Sequence, residues 1–287
     1  TSFDLIFDAS SHVILPGLVN THHHFYQTLT RSYKPALNKE LFDWLRALYP
    51  VWSRLTPEML SVATELALAE LLLSGCTTSV DHHYIFPKGM ENGIDIQVAV
   101  ARKLGMRVIL ARGSMDLSIK DGGLPPLNIV QDPDVILADS ARLIEKYHEA
   151  DSGAFVQVAL APCSPFSVSR QLMNDTAEMA RKYDILLHTH LAETEDENTF
   201  CMEHYNMRPL NYLDECGWLD AKVWLAHGIH FDEDECARLA KFGIGITSCP
   251  NSNMILSSGI CPINTIEKLG GTVGLGVDGS ASNDASN

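Results

Sequence analysis

The stretch "HVILPGLVNTHHHFYQ", residues 12–27, runs from an apolar segment straight into three histidines. Residues 12–20 read as a buried strand, because the apolar residues follow one another without polar alternation. The imidazoles begin where the apolar run stops, so they sit at the strand's carboxyl end. The same pattern returns along the chain in "TTSVDHH" (77–83), "RVILAR" (107–112), "FVQVALAP" (155–162) and "ILLHTH" (185–190). It continues in "VWLAHG" (223–228), "IGITSCP" (244–250) and "TVGLGVD" (272–278), which makes eight strands.

Helical patterns separate these strands. Residues 56–75, "TPEMLSVATELALAELLLSG", place Thr56 as N-cap, Pro57 in the first turn and Gly75 as the stop. Residues 132–150 and 169–184 read the same way. Eight apolar strands alternating with helices predict an α/β fold, a distorted TIM (β/α)8 barrel with a parallel sheet. A doubly wound open sheet is the alternative. No glycine-rich phosphate loop follows the first strand, and "GGLPPLN" (122–128) is a loop before a helix. The glycines of "GTVGLGVDG" (271–279) alternate along a strand, as tight barrel packing requires.

Composition narrows the function classes. The 287 residues are 46% hydrophobic and carry a formal charge of -15. That balance argues against a nucleic-acid or anionic-membrane partner and fits a small-molecule substrate. No basic start precedes a long apolar core, and no apolar run approaches the roughly 20 residues that span a bilayer. The seven cysteines are scattered, odd in number and lack Cys-x-x-Cys, which points to buried free thiols in a reducing, cytoplasmic compartment. The first residue is Thr, and the chain stops in a polar loop just after a strand. Sequence is therefore expected to be missing at both ends.

The chemistry-bearing residues fall at strand ends. His22 and His24 follow the first strand, His82 and His83 the second. His188 and His190 end the fifth, with Glu193 one turn later. His227 ends the sixth and Asp278 the eighth. In a barrel this carboxyl rim is where active sites are built. Alternate residues of a strand face one side, so His22 and His24 can reach one ion while His23 points away. His190 and Asp278 can close that site from other strands. Three neutral imidazoles and a carboxylate suit Zn²⁺ or Fe²⁺. His12, His148 and His204 read as surface or helix positions.

"PGLVNTHHH", "HTHLAE", "LAHGIH" and "LGVDGSASND" resemble, in the right order, four motifs of the amidohydrolase superfamily, deaminase branch. The resemblance implies one divalent metal, Zn²⁺ or Fe²⁺, on His22, His24, His190 and Asp278. "FVQVALAP" lacks the bridging lysine of the binuclear branch, which implies a mononuclear site. It further implies a metal that lowers the pKa of a water, Asp278 taking its proton, Glu193 as proton donor and shuttle, and His227 stabilising the attacking oxygen. The zinc deaminases built on Pro-Cys-x-x-Cys are a different class: after Pro162-Cys163, Phe166 holds the second cysteine's place.

"HHHFYQTLTRSYKPALNKELFDWLRALYPVWSRLTPEM", "LLLSGCTTSVDHHYIFP" and "APCSPFSVS" look most like the 8-oxoguanine deaminase group of that superfamily. The reaction implied is hydrolytic deamination of 8-oxoguanine to urate and ammonia. Gln27 can pair with both a donor and an acceptor on a purine edge. His83, Trp44 and Cys163 are further substrate contacts. Amino- or chloro-triazine hydrolysis and S-adenosylhomocysteine-type deamination would use the same catalytic kit with another pocket. A non-catalytic scaffold would need no metal. The superfamily also implies a homo-oligomer and a small flanking β-sandwich, of which residues 1–13 would be a remnant beside the barrel at 14–287.

Overall fold

The computed structural model describes residues 4–285. The first barrel strand is in two pieces, β1 (Leu18–Asn20) and β2 (His23–His24). The next six are β3 (Cys76–His83), β4 (Arg107–Ser114), β5 (Val156–Pro162), β6 (Leu187–Leu191), β7 (Val223–His227) and β8 (Gly245–Ser248). The last is again split, into β9 (Val273–Leu275) and β10 (Asp278–Gly279). All neighbours pair parallel in chain order from β1 and β3 round to β9. First and last strands then meet. Thr21 N donates to Leu275 O at 3.0 Å, Asp278 N to His22 O at 3.0 Å, and β10 pairs parallel with β2. The fold is the expected TIM barrel. Its distortion lies between β5 and β6, which share a single paired position, Leu160 with Leu187.

Local chemistry sets the helices. Thr56 Oγ1 accepts from Met59 N and Pro57 opens α2 (Pro57–Leu73), which follows α1 (Leu41–Trp52). After α3 (Gly93–Leu104), Asp132 caps α4 (Pro133–Tyr147) and Ser169 caps α5 (Arg170–Tyr183). α6 (Glu195–Tyr205) and α7 (Pro209–Glu215) precede β7, and a full capping box of Asp232 and Glu235 starts α8 (Glu233–Phe242). Two short helices, α9 (Pro250–Ile255) and α10 (Ile263–Lys268), complete the set. Among the described residues no helix is long and apolar enough to cross a membrane.

One sequence expectation needs correcting. Residues 12–17 are not strand; His12 to Gly17 are exposed, and pairing begins at Leu18. Pro16 lacks an N–H for a ladder. A side chain at Gly17 would also run into Thr77. Of the proposed sandwich remnant, residues 1–3 lie outside the described residues. Leu5, Ile6 and Phe7 stand exposed and form no strand.

The main apolar core lies between strands and helices. A second, small cluster of Val80, Ala111, Ala159 and Ala161, with Ile109, Leu186 and Trp224 against it, fills the barrel interior. Three of its four central members are alanine. That economy leaves interior volume for the imidazoles above. Replacing Ala159 by Leu is expected to destabilise the fold by about 1–3 kcal/mol through overpacking. Equilibrium urea unfolding, read as a lower midpoint at unchanged slope, checks this.

Candidate metal centre and active site

His22, His24, His190 and Asp278 come from both ends of the barrel sheet and from β6, and all are buried. His24 Nε2 lies 3.2 Å from His190 Nε2 and 3.2 Å from Asp278 Oδ1. His22 Nε2 lies 3.4 Å from the same oxygen. The protonation of these rings can be read from their other nitrogens. His24 Nδ1 is 2.6 Å from the His82 carbonyl, and His190 Nδ1 is 2.6 Å from the Cys163 carbonyl. A carbonyl only accepts, so each Nδ1 carries a hydrogen, and Nε2 is the nitrogen each ring turns toward the centre.

His22 reaches the same state through a relay. His188 Nδ1 donates to Trp224 O at 2.9 Å, so His188 Nε2 is an acceptor for His22 Nδ1–H at 2.8 Å. His22 Nε2 is then bare, and it is a buried atom without a hydrogen-bond partner. Burial holds the His22 imidazole down to about 4 and those of His188 and His190 well below the usual value, so all are neutral at pH 7. Three Nε2 atoms and a carboxylate oxygen thus converge on one point. A divalent cation fits that donor set.

Two overlapping groups have ligand atoms within 4.8 Å of one another: His22, His24, His82 and His190, and His22, His227 and Asp278. His82 Nε2 lies 2.9 Å from Ala161 O, which leaves its Nδ1 bare and unpartnered, and its ring stacks on His190. His227 presents Nε2 at 3.5 Å from Glu193 Oε2 and 4.0 Å from Asp278 Oδ2, while Nδ1 sits 3.1 Å from Asn253 Oδ1. Burial, then the charges of Asp278 and Glu197, pushes the Glu193 carboxyl well above its usual range. Ala192, His227 and Asp278 all have positive φ, at 52°, 72° and 63°. Non-glycine residues hold that conformation only when their surroundings enforce it.

Gln27, Trp44, Cys163, Glu193, His227 and Asp278 line one pocket beside this centre. Gln27 Oε1 is buried and unpartnered. Its amide occupies the space where a side chain on residue 279 would stand, so Gly279 makes room for it. Trp44 donates to Ala281 O, tying α1 over the pocket. Burial pushes the Cys163 thiol up to about 12, so it remains protonated. His83 is elsewhere. Adjacent strand residues face opposite sides, and His83 packs outward against Tyr26 and Phe86, away from the pocket.

The orienting roles of His82 and His188, the pocket face of Tyr84, and the hold of Asp81 on Phe25 N at 2.6 Å were not assigned from sequence. The repeated His-x-His on β6 was the available signal for His188.

Residues 13–287 match the Amidohydrolase family along nearly the whole chain. The chain belongs to the amidohydrolase family. Within it, 8-oxoguanine deaminase of Pseudomonas aeruginosa is 62% identical over 281 residues, 98% of this chain and 63% of that relative. Hydroxydechloroatrazine ethylaminohydrolase of Pseudomonas sp. strain ADP is 35% identical, over 95% of this chain and 57% of the relative. The crystal structure of atrazine chlorohydrolase from Arthrobacter aurescens complexed with zinc superposes with a TM-score of 0.91 at 31% identity, covering 99% of this chain and 66% of that one. This amidohydrolase chain therefore spans less than two-thirds of the length of these relatives.

His188→Ala is expected to weaken metal affinity by about 10- to 100-fold by releasing the His22 ring. His83→Ala should leave it unchanged. Zinc titration against a competing chelator distinguishes the two.

Proposed function

We propose that this barrel catalyses hydrolytic deamination of a purine base, 8-oxoguanine to urate and ammonia, with one Zn²⁺ held by His22, His24, His190 and Asp278. The observation that carries this is the convergence of three imidazole Nε2 atoms and an Asp278 oxygen beside Glu193, a carboxyl whose affinity for its proton burial raises. The 62% identity to 8-oxoguanine deaminase supports the choice of substrate. The atrazine chlorohydrolase complex supports zinc over iron.

The ion supplies one thing when bound: it acidifies a water so that it can attack at neutral pH. The remaining work falls to side chains. Glu193 donates its proton to a ring nitrogen next to the carbon under attack, which makes that carbon electrophilic. Asp278, whose Oδ2 faces His227, takes the proton from the attacking water. His227 Nε2 stands between these two carboxyls; with a hydrogen on that nitrogen, and the Asn253 amide turning its NH2 toward Nδ1, it donates to the oxygen as charge develops. The added hydroxyl gives its remaining proton to the Glu193 carboxylate, which passes it to the exocyclic amine; ammonia leaves, oxygen stands in its place on the ring, and the proton held on Asp278 returns to Glu193. Gln27, with its carbonyl oxygen unpartnered, grips the purine edge. Trp44 and Cys163 bound the same pocket as walls.

We also assign residues 1–13 to a flanking sandwich layer, on the exposed apolar side chains of Leu5, Ile6 and Phe7. Seven buried free thiols support a cytoplasmic setting. A homo-oligomer rests on the family resemblance alone.

The zinc-loaded protein should release ammonia faster from 8-oxoguanine than from guanine, S-adenosylhomocysteine or hydroxy-triazines. A preference for any of the others overturns the substrate assignment. Gln27→Ala should lower kcat/KM for 8-oxoguanine about 10-fold or more while keeping its zinc. Steady-state ammonia assays with parallel metal analysis check both outcomes.

A further inference from the structure

Glu193 and His227 lie on adjacent turns at the ends of β6 and β7, and the two turns are laced together. Gly228 N donates to Leu191 O at 3.1 Å. Ile229 N and His230 N both donate to Ala192 O, at 2.8 and 2.9 Å. These bonds use the carbonyls of the β6 turn. Its amides are taken by one side chain. Glu197 Oε1 accepts from Ala192 N at 2.9 Å and Glu197 Oε2 from Glu193 N at 3.0 Å.

Ordinary helix capping does not account for this. Glu197 is the third residue of α6, where a capping-box glutamate would reach back to the N–H of the N-cap residue, Thr194. Glu197 reaches past Thr194 to the two residues before it. Thr194 makes no side-chain cap, and its hydroxyl is buried without a partner. Glu197 is itself fully buried and, among the described residues, pairs with no Lys or Arg. A buried carboxylate without a cation is costly unless hydrogen bonds satisfy it. Here the two amides of the Glu193 turn, with the amino end of α6, offset part of that cost, and burial still lifts the Glu197 carboxyl to about 7. Ala192 is held at a φ of 52° in the same turn.

We infer that Glu197 is a positioning residue for the proton donor: its carboxylate clamps the two amides that fix Glu193 against His227. This rests on the role given to Glu193 above. It adds a second acidic residue that touches neither substrate nor metal and acts through Glu193.

Glu197→Gln tests the clamp, because its amide nitrogen must face one backbone N–H and leave it unpaired. Glu197→Asp tests it with charge kept and reach shortened. In both, kcat should fall about 10- to 100-fold, KM should stay within about twofold, and zinc content should be full. In a Glu193→Gln background the further loss should be less than about twofold, since a residue acting only through Glu193 has nothing left to position. Amide hydrogen exchange, which needs no substrate, should show faster exchange at Ala192 and Glu193 in the Glu197 variants, with Gly228 and His230 unchanged.

Unchanged exchange and unchanged kcat would overturn the inference. So would a loss additive with Glu193→Gln, loss of zinc, or failure of both variants to fold, since each makes Glu197 a general structural residue. If the wild type turns over nothing in the substrate panel, the reading of Glu193 fails, while the exchange result still decides the clamp.

Discussion

Imidazole nitrogens meet in a protein interior only with a proton or a cation between them. His24 Nε2 and His190 Nε2 do so at 3.2 Å, with an oxygen of Asp278 as near to His24. Much of the upper barrel follows from aiming them inward. Each ring's hydrogen must be drawn to the opposite nitrogen, so each needs a backbone carbonyl at a set place. His82 O, Cys163 O and Trp224 O supply them, the last through His188. All three belong to barrel strands or to the first residue beyond one, where a parallel sheet holds carbonyls in fixed directions. The centre is therefore a property of the sheet's geometry as much as of the histidines.

Volume is the second constraint. Rings of His22, His24, His82, His188, His190 and His227 crowd within contact of one another. A barrel lined with leucine would have no room for them. The alanines of β4 and β5 and the stacked Trp224 below define a floor on which the imidazoles rest.

The sequence was legible where one pattern has one physical cause. Short apolar or β-branched runs marked β4 to β8, because strands covered on both sides carry little polar alternation, while β3 was marked by its β-branched residues and the histidines at its end. Histidines at their ends marked the rim. The first strand was overread: "HVILPG" is apolar, but Pro16 has no N–H to give to a ladder, and pairing begins only at Leu18. His83 was misplaced for a different reason. Period-2 parity says that His82 and His83 face opposite ways, and only the register with β4 decides which one faces inward. The work of His188 and Glu197 was invisible, because His188 acts through a backbone carbonyl of the next strand and Glu197 on two amides of its own turn that no sequence pattern marks. No spacing rule encodes a partner carbonyl.

The seam between β2 and β10 joins residues from opposite ends of the chain, and it carries His24 and Asp278 themselves. Those residues cannot meet until everything between them has folded, since closure of so long a loop comes late. An ion held there would be a latch as well as a reagent. Its coordination shell is complete only in a closed ring, so loading and closure are thermodynamically linked. A chain emptied of metal would be expected to breathe first at this seam, which backbone bonds between Thr21 and Leu275 and between His22 and Asp278, and that of Val277 N to Asn20 Oδ1, would then hold alone. Cofactor supply in the cell would then govern not only how fast the barrel works but how long it lasts.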